Sequence, residues 1–324
     1  MRACIVGTGS YVPERILTNA DLEQMVATSE AWIVERTGIR ERRIAAKGEA
    51  CSDLGTRAAE SALQAAGVSA ADLDLILVAT CTGDQLLPST ACLIQHRLGA
   101  VRAAACDISA ACCGFVYALS VADAYVRTGS RHVLVVGAEV MSAITDWTDR
   151  NTCVLFGDGA GAVVLGPAEG ERGILSCHLH SDGALWDLIC VPGGGSSIPP
   201  SEKMVLERLQ YVKMRGNETF KVAVRTLEDV AREALSANHL SVDDIDLYVP
   251  HQANVRIIKA VAARLGLPLE RVVMNMDRYG NTSAASIPLA LDEAVRTGQV
   301  KPGSLIMLGA FGSGLTWASA VIRW

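Results

Sequence analysis

Two rhythms of apolar and polar positions alternate along the chain. Short, nearly continuous apolar runs bounded by turn residues, such as Ala3-Cys-Ile-Val-Gly7 and Asp72-Leu-Asp-Leu-Ile-Leu-Val-Ala79, predict buried strands. Between them the apolar residues fall three and four apart, which predicts helices: one capped at Thr18-Asn-Ala-Asp21 and running towards Val26, an alanine-rich one from Ala58 to Ala66, and another from Pro88 to Leu98. Ser29-Glu-Ala-Trp32-Ile-Val-Glu-Arg36-Thr-Gly38 places Trp32 and Arg36 four apart, hence on one helical face. Strands alternating with helices predict an α/β protein whose sheets are covered by helices on both faces. Pro192 to Pro200, with its Gly-Gly-Gly-Ser-Ser core, is the one long loop and is expected to lie over a surface opening.

The pattern repeats once. Ala59-Glu-Ser-Ala62-Leu63, followed by Ser69, Asp72, Asp74 and Leu75, returns 172 positions later as Ala231-Arg-Glu-Ala234-Leu235, followed by Ser241, Asp244, Asp246 and Leu247. Val126-Arg-Thr-Gly129 returns 169 positions later as Val295-Arg-Thr-Gly298, and Phe156-Gly-Asp-Gly159 is echoed by Phe311-Gly-Ser-Gly314. A period near half the chain is too long for a solenoid and predicts duplication of a whole unit. Two related halves follow, residues 1–170 and 171–324. The offset of 169 pairs Cys112 with Asn281, and the end of the strand at Ala79 corresponds to His251, so the three are expected in one cleft between the halves.

With 324 residues, half of them apolar, and a net charge of −6 without like-charge runs, the chain has a large core and no electrostatic footprint for nucleic acid. An acidic partner would need a local basic patch. Ten cysteines are too few here for a disulfide scaffold, and Met1-Arg-Ala-Cys-Ile-Val-Gly lacks a secretory pattern. A reducing, cytoplasmic setting is expected, with no membrane span and no metal, because no cysteine or histidine spacing suits zinc. Gly7-Thr-Gly9 lacks the rest of a dinucleotide fingerprint.

The chemistry gathers at Asp107-Ile-Ser-Ala-Ala-Cys112-Cys113-Gly-Phe115. A strand ending near Ser109 and a helix beginning near Cys113 put Cys112 on a tight turn at a helix N-terminus, which is expected to favour the thiolate. With His251 in Val249-Pro-His-Gln-Ala-Asn254 and Asn281 in Tyr279-Gly-Asn-Thr-Ser-Ala-Ala285 it forms a Cys, His, Asn set. Two chemistries use such a set. In a thioester hydrolase, histidine takes the thiol proton and asparagine orients the imidazole. In a decarboxylating condensing enzyme, cysteine carries an acyl group while neutral histidine and asparagine both donate to a thioester oxygen. The backbone amides of Cys112 and of Ser313, in the glycine-rich Gly309–Trp317 turn, are candidates for an oxyanion hole.

Six motifs in order, Trp32-Ile-Val-Glu-Arg-Thr-Gly-Ile39, Asp107–Cys112, Phe156-Gly-Asp-Gly-Ala-Gly161, Pro250-His-Gln-Ala-Asn254, Gly280-Asn-Thr-Ser-Ala-Ala285 and Phe311-Gly-Ser-Gly-Leu-Thr-Trp317, resemble the β-ketoacyl-[acyl carrier protein] synthase III family of the thiolase-like superfamily. The resemblance spans essentially the whole chain. It implies a five-layer αβαβα fold from two duplicated halves, a homodimer, and initiation of type II fatty acid synthesis. Cys112 is implied as the acylated nucleophile, with His251 and Asn281 as the decarboxylation pair. An acyl-CoA and a malonyl-acyl carrier protein are the implied partners, coenzyme A thioester being a substrate and no cofactor being needed. Trp32, Arg36, Arg150 and Asn254 are implied at the coenzyme A site. Gln252, Arg256 and Lys221 are implied to meet the carrier protein, and Leu87 to line the end of the acyl pocket, often across the dimer interface. Leu87 leaves open whether the primer is acetyl or longer. Cys113, where the family more often has a small residue, is expected to be buried and inert. The rivals are a paralogous condensing enzyme or acyltransferase of secondary, polyketide-type metabolism, a thioester hydrolase, and a non-catalytic binding protein.

Overall fold

In the computed structural model, which describes residues 2–324, the strands gather into two main sheets. Across the first run Ala3–Tyr11, Asp158–Pro167, Val133–Val140, Leu75–Ala79 and Ala104–Ile108. The last three are mutually parallel, and Asp158–Pro167 is antiparallel to both neighbours. The second sheet runs Leu247–Pro250, Leu305–Gly312, Thr316–Arg323 and Gly173–Ser181, with only the first pair parallel. Strands such as Val133–Val140 are buried almost end to end because helices cover both faces, so they read as continuous apolar runs with no alternation.

Five layers result. Gly114–Arg127 and Ser286–Arg296 lie between the sheets and share one core with both. Their sequences are apolar nearly all round, Leu289, Ala290, Leu291 and Ala294 being buried in the second, as a helix between two sheets requires. Cys51–Ala66 and Thr90–Leu98 cover the outer face of the first sheet. Gly216–Ala237 and Val255–Leu265 cover that of the second through one apolar stripe each, Ala223, Leu227, Val230, Ala231 and Ala234 in the former. Each leucine or valine so buried contributes about 1.5–3 kcal/mol. The Gly7 and Gly9 pair has a packing role: a Cβ at Gly7 would stand 2.5 Å from the Ala62 carbonyl oxygen, and one at Gly9 would stand 2.3 Å from the Ala62 nitrogen. The alanine-rich helix can therefore press directly on the first strand.

The duplication is visible in detail and corrects one pairing. Val133–Val140 and Leu305–Gly312 are equivalent strands 172 positions apart. The same offset relates the tight turns Ala111–Cys113 and Ser283–Ala285, whose first residues both sit at positive φ, 45° at Ala111 and 49° at Ser283. Cys112 therefore corresponds to Ala284, and Asn281 to Ser109. The offset of 169 holds only beyond the middle helices, because the first has 14 residues and the second 11. Ala79 and His251 remain equivalent. The counterpart of the edge strand Ala104–Ile108 is reduced to one bridge between Tyr248 and Val272. Among the described residues, no helix is long and apolar enough to cross a membrane.

Candidate active site

Cys112 sits in the turn between the strand Ala104–Ile108 and the helix Gly114–Arg127, so the sequence places both boundaries within a residue. The turn lies against the second half: a Cβ at Gly312 would stand 2.8 Å from the Cys112 nitrogen and 3.1 Å from its Cβ. Gly312 ends the strand whose Gly309 carbonyl accepts the His251 N–H at 2.7 Å. One strand thus supports both the nucleophile and the histidine. The expected thiolate is not the resting form: burial pushes the Cys112 thiol up to about 11, with the Ser283 hydroxyl and the residue's own N–H pulling the other way and Glu139 adding to the rise. Desolvation outweighs the turn's dipoles in the free protein. Cys113 is wholly buried, its Sγ 3.3 Å from the Thr316 carbonyl oxygen, and burial drives its thiol far up.

His251 is 5% exposed, and burial lowers it to about 3, so the ring is neutral. Its Nδ1 is 2.7 Å from Ser286 Oγ. That oxygen already accepts the Gln252 N–H at 3.3 Å. The Ser286 hydroxyl still has a proton to donate, and donation to Nδ1 is the arrangement that puts the imidazole proton on Nε2. Asn281 is fixed at both ends: its N–H donates to the Leu155 carbonyl and its own carbonyl accepts from Gly157, at 2.8 and 3.1 Å. Its Oδ1 accepts the Ser283 N–H at 2.9 Å, which leaves the Nδ2 amide as the free donor. Ser283 and Ser286, which orient the two side chains, stand on one turn and the first residue of the helix it opens. The asparagine does not touch the imidazole through this bond, so the arrangement in which asparagine orients histidine is not the one formed.

Arg36 and Arg150 lie 5.4 and 4.3 Å from the Trp32 ring centroid, and Arg150 donates to the Ala27 carbonyl. The helix Glu30–Thr37 does bring Trp32 and Arg36 onto one face, but Arg150 comes from the first residue of a separate short helix, which periodicity could not reveal. Asn254 caps the helix Val255–Leu265 through Oδ1 to the Arg256 N–H at 2.8 Å, so only its Nδ2 is available to a ligand. Arg256 is exposed and stacks at 5.5 Å on Phe220, beside exposed Lys221.

One expectation changes. Gln252 cannot meet a carrier protein: it is 1% exposed, its Nε2 donates to the Pro250 and Val273 carbonyls, and its Oε1 accepts the Asn275 N–H. It braces the histidine loop from inside. Leu87 lines no enclosed pocket in the single chain: it is 85% exposed, next to Leu86. Ser313 follows the strand Leu305–Gly312, with its hydroxyl donating to the Ile189 carbonyl.

Sequence reasoning missed Glu139. It is fully buried on the strand Val133–Val140 and accepts hydrogen bonds from Thr80, Cys81, Thr82 and Ser283. The one signal was a lone acid inside the apolar run Val133–Val140. Cys81, also unremarked, lies with its Sγ 3.3 Å from Glu139 and 4.0 Å from Ser283 Oγ.

Comparison with known proteins identifies the family. Residues 106–183 match the family described as 3-oxoacyl-[acyl-carrier-protein] synthase III, and residues 235–324 match its C-terminal part. A β-ketoacyl-[acyl-carrier-protein] synthase III of Alkalilimnicola ehrlichii is 56% identical, with 99% of each chain covered. The crystal structure of 3-oxoacyl-[acyl-carrier-protein] synthase III from Aquifex aeolicus superposes with a TM-score of 0.93 at 48% identity, covering 99% of this chain and 100% of that one. The priming β-ketosynthase of the R1128 polyketide pathway superposes at 0.92 with 39% identity, covering 99% and 96%. At such identity over nearly the whole of both chains, the chain belongs to the β-ketoacyl-[acyl-carrier-protein] synthase III family.

Proposed function

We propose that the chain catalyses a decarboxylative condensation of a short acyl-CoA with malonyl-acyl carrier protein, giving a 3-oxoacyl-carrier protein and initiating fatty acid synthesis. The observation that carries this reading is the donor capacity of both partners of Cys112: a neutral His251 whose Nδ1 faces the Ser286 hydroxyl, which suits a proton on Nε2, and an Asn281 whose free side-chain group is Nδ2. Two neutral donors suit an oxygen on which negative charge develops. Cys112 loses its proton and attacks the acyl-CoA carbonyl, and coenzyme A leaves as the thiol. Malonyl-carrier protein then enters, and the C–C bond to its carboxylate breaks, releasing carbon dioxide. The electron pair is held as an enolate whose oxygen faces His251 and Asn281. The enolate carbon attacks the Cys112 thioester, whose oxyanion is met by the amides of Cys112 and Ser313, and the thiolate departs. No metal or redox group is required by these steps.

The Trp32 ring between Arg36 and Arg150 suits an adenine with its phosphates, and Arg256 with Lys221 suits an acidic carrier protein. Leu86, Leu87 and the exposed edge strand Ala104–Ile108 support a homodimer, in which a second copy would cover the leucines and complete the acyl pocket. The test is an assay with a panel of acyl-CoA primers and malonyl-carrier protein. A product longer by two carbons supports the reading, and release of the primer as free acid contradicts it. Primer preference in the same panel separates a fatty acid role from that of a polyketide-priming paralogue.

A further inference from the structure

Glu139 is used by no step above, yet it is the most heavily bonded side chain beside the site. Its Oε1 accepts from Ser283 Oγ at 2.9 Å, and its Oε2 from Thr80 Oγ1 at 3.2 Å, from the Cys81 N–H at 3.1 Å and from Thr82 Oγ1 at 2.5 Å. The Cys81 thiol adds a fifth contact at 3.3 Å. Every partner can donate and none is a cation; burial raises the acid, and the hydrogen bonds from Thr82, Cys81 and Ser283 pull the other way. Burying such a group is costly unless it is hydrogen-bonded, and here every contact is used. The bonds converge on two pieces of backbone. One is the loop Thr80–Thr82, which leads to Leu86 and Leu87. The other is the turn opened by Ser283, held at a φ of 49° that serine rarely adopts.

That turn controls Asn281. The Ser283 N–H holds Asn281 Oδ1 at 2.9 Å, and that bond alone decides that Nδ2, and not Oδ1, is presented to the site. Ser283 is in turn tied through its hydroxyl to Glu139, across the junction of the two halves. We propose that Glu139 is a positioning residue for the decarboxylation step, acting through Ser283 to hold the Asn281 amide with its Nδ2 donor facing the malonyl thioester oxygen. The inference rests on the condensing function proposed above. It assigns the buried acid to the carbanion-forming half of the cycle and gives it no part in loading Cys112.

The test is Glu139→Gln and Ser283→Ala, each made alone and in an Asn281→Ala background, with two readouts: the acylation burst from acetyl-CoA, and kcat and KM for malonyl-carrier protein decarboxylation. A weakened strut is expected to lower decarboxylation kcat by between about 10- and 100-fold. KM should change less than about twofold and the acylation burst should be retained. In the Asn281→Ala background neither substitution should lower the rate further, which a general loss of structure would not reproduce. Unchanged decarboxylation kcat, an equal loss in both backgrounds, or a parallel loss of acylation overturns the proposal. If Glu139→Gln does not fold, Ser283→Ala cuts the same link from its other end at the loss of one hydroxyl. A wild-type protein that acylates but never decarboxylates malonyl-carrier protein overturns the condensing function itself, a result distinct from an active wild type with indifferent variants.

Discussion

At the level of single residues the site works by withholding charge. His251 and Cys112 are both held in their neutral forms by burial, to about 3 and about 11 respectively. For the histidine the consequence can be measured directly. Its ring should stay neutral by NMR at pH 5, and an imidazolium there would contradict the donor role. Because its folded value lies below that of the unfolded chain, near 6.5, the unfolded state binds the extra proton first. Stability from this group is therefore full above about pH 6.5 and declines as pH falls towards 3. For the cysteine, alkylation by iodoacetamide should keep rising with pH between 8 and about 10 in the absence of substrate, following thiolate fraction. A plateau by pH 8 would mean that the turn's dipoles, not desolvation, set the resting state. Cys113→Ala should leave turnover unchanged and cost about 1 kcal/mol in a denaturant melt, since it removes one buried sulfur and no reacting group. A large fall in turnover would show that the second thiol takes part.

Among the elements, the decisive contacts are places where a side chain would not fit. Gly312 lets the second sheet touch the Cys112 turn, and Gly137 lets the Ser283–Ala285 turn touch the first sheet, where a Cβ would stand 2.4 Å from the Ala284 carbonyl oxygen. Gly312→Ala should displace the nucleophile and slow acylation by about 100-fold. Stopped-flow acylation at the wild-type rate would show that the turn absorbs the methyl group freely. The strands and the outer helices were legible because burial on two faces and on one stripe leaves different periodicities. The strand-turn-helix at Cys112 was legible to within a residue, because small residues and a glycine follow a short apolar run. Other features left no periodic trace. The pairing of Cys112 with Asn281 failed because the shorter middle helix shifts the offset, a difference that sequence counting sees only beyond the helix. Gln252 looked like a surface amide because its partners, the Val273 carbonyl and the Asn275 N–H, lie more than twenty residues away. Glu139 went unremarked because every one of its partners is remote in sequence.

As a whole, the molecule divides the reaction between its duplicated halves. The first half carries the cysteine and the second carries the histidine and the asparagine, at three positions that are not each other's counterparts in the duplication. The exposed leucines and edge strand imply a further level, the pair of chains. Light scattering should give about twice 34.2 kDa, and Cys106→Arg on the open edge should return it towards the single-chain mass. A wild-type mass of one chain would leave Leu87 in water and remove it from the acyl pocket. The division of labour itself is tested most directly by intact-protein mass spectrometry on the wild type and on Cys112→Ala, His251→Ala and Asn281→Ala, first with acetyl-CoA and then with malonyl-carrier protein. Acylation lost only in Cys112→Ala, with malonyl decarboxylation slowed to a residual but measurable rate in the other two while their acyl group persists, is the result expected. Loss of acylation in all three would contradict it, because His251 and Asn281 would then be activating the thiol instead of holding the enolate.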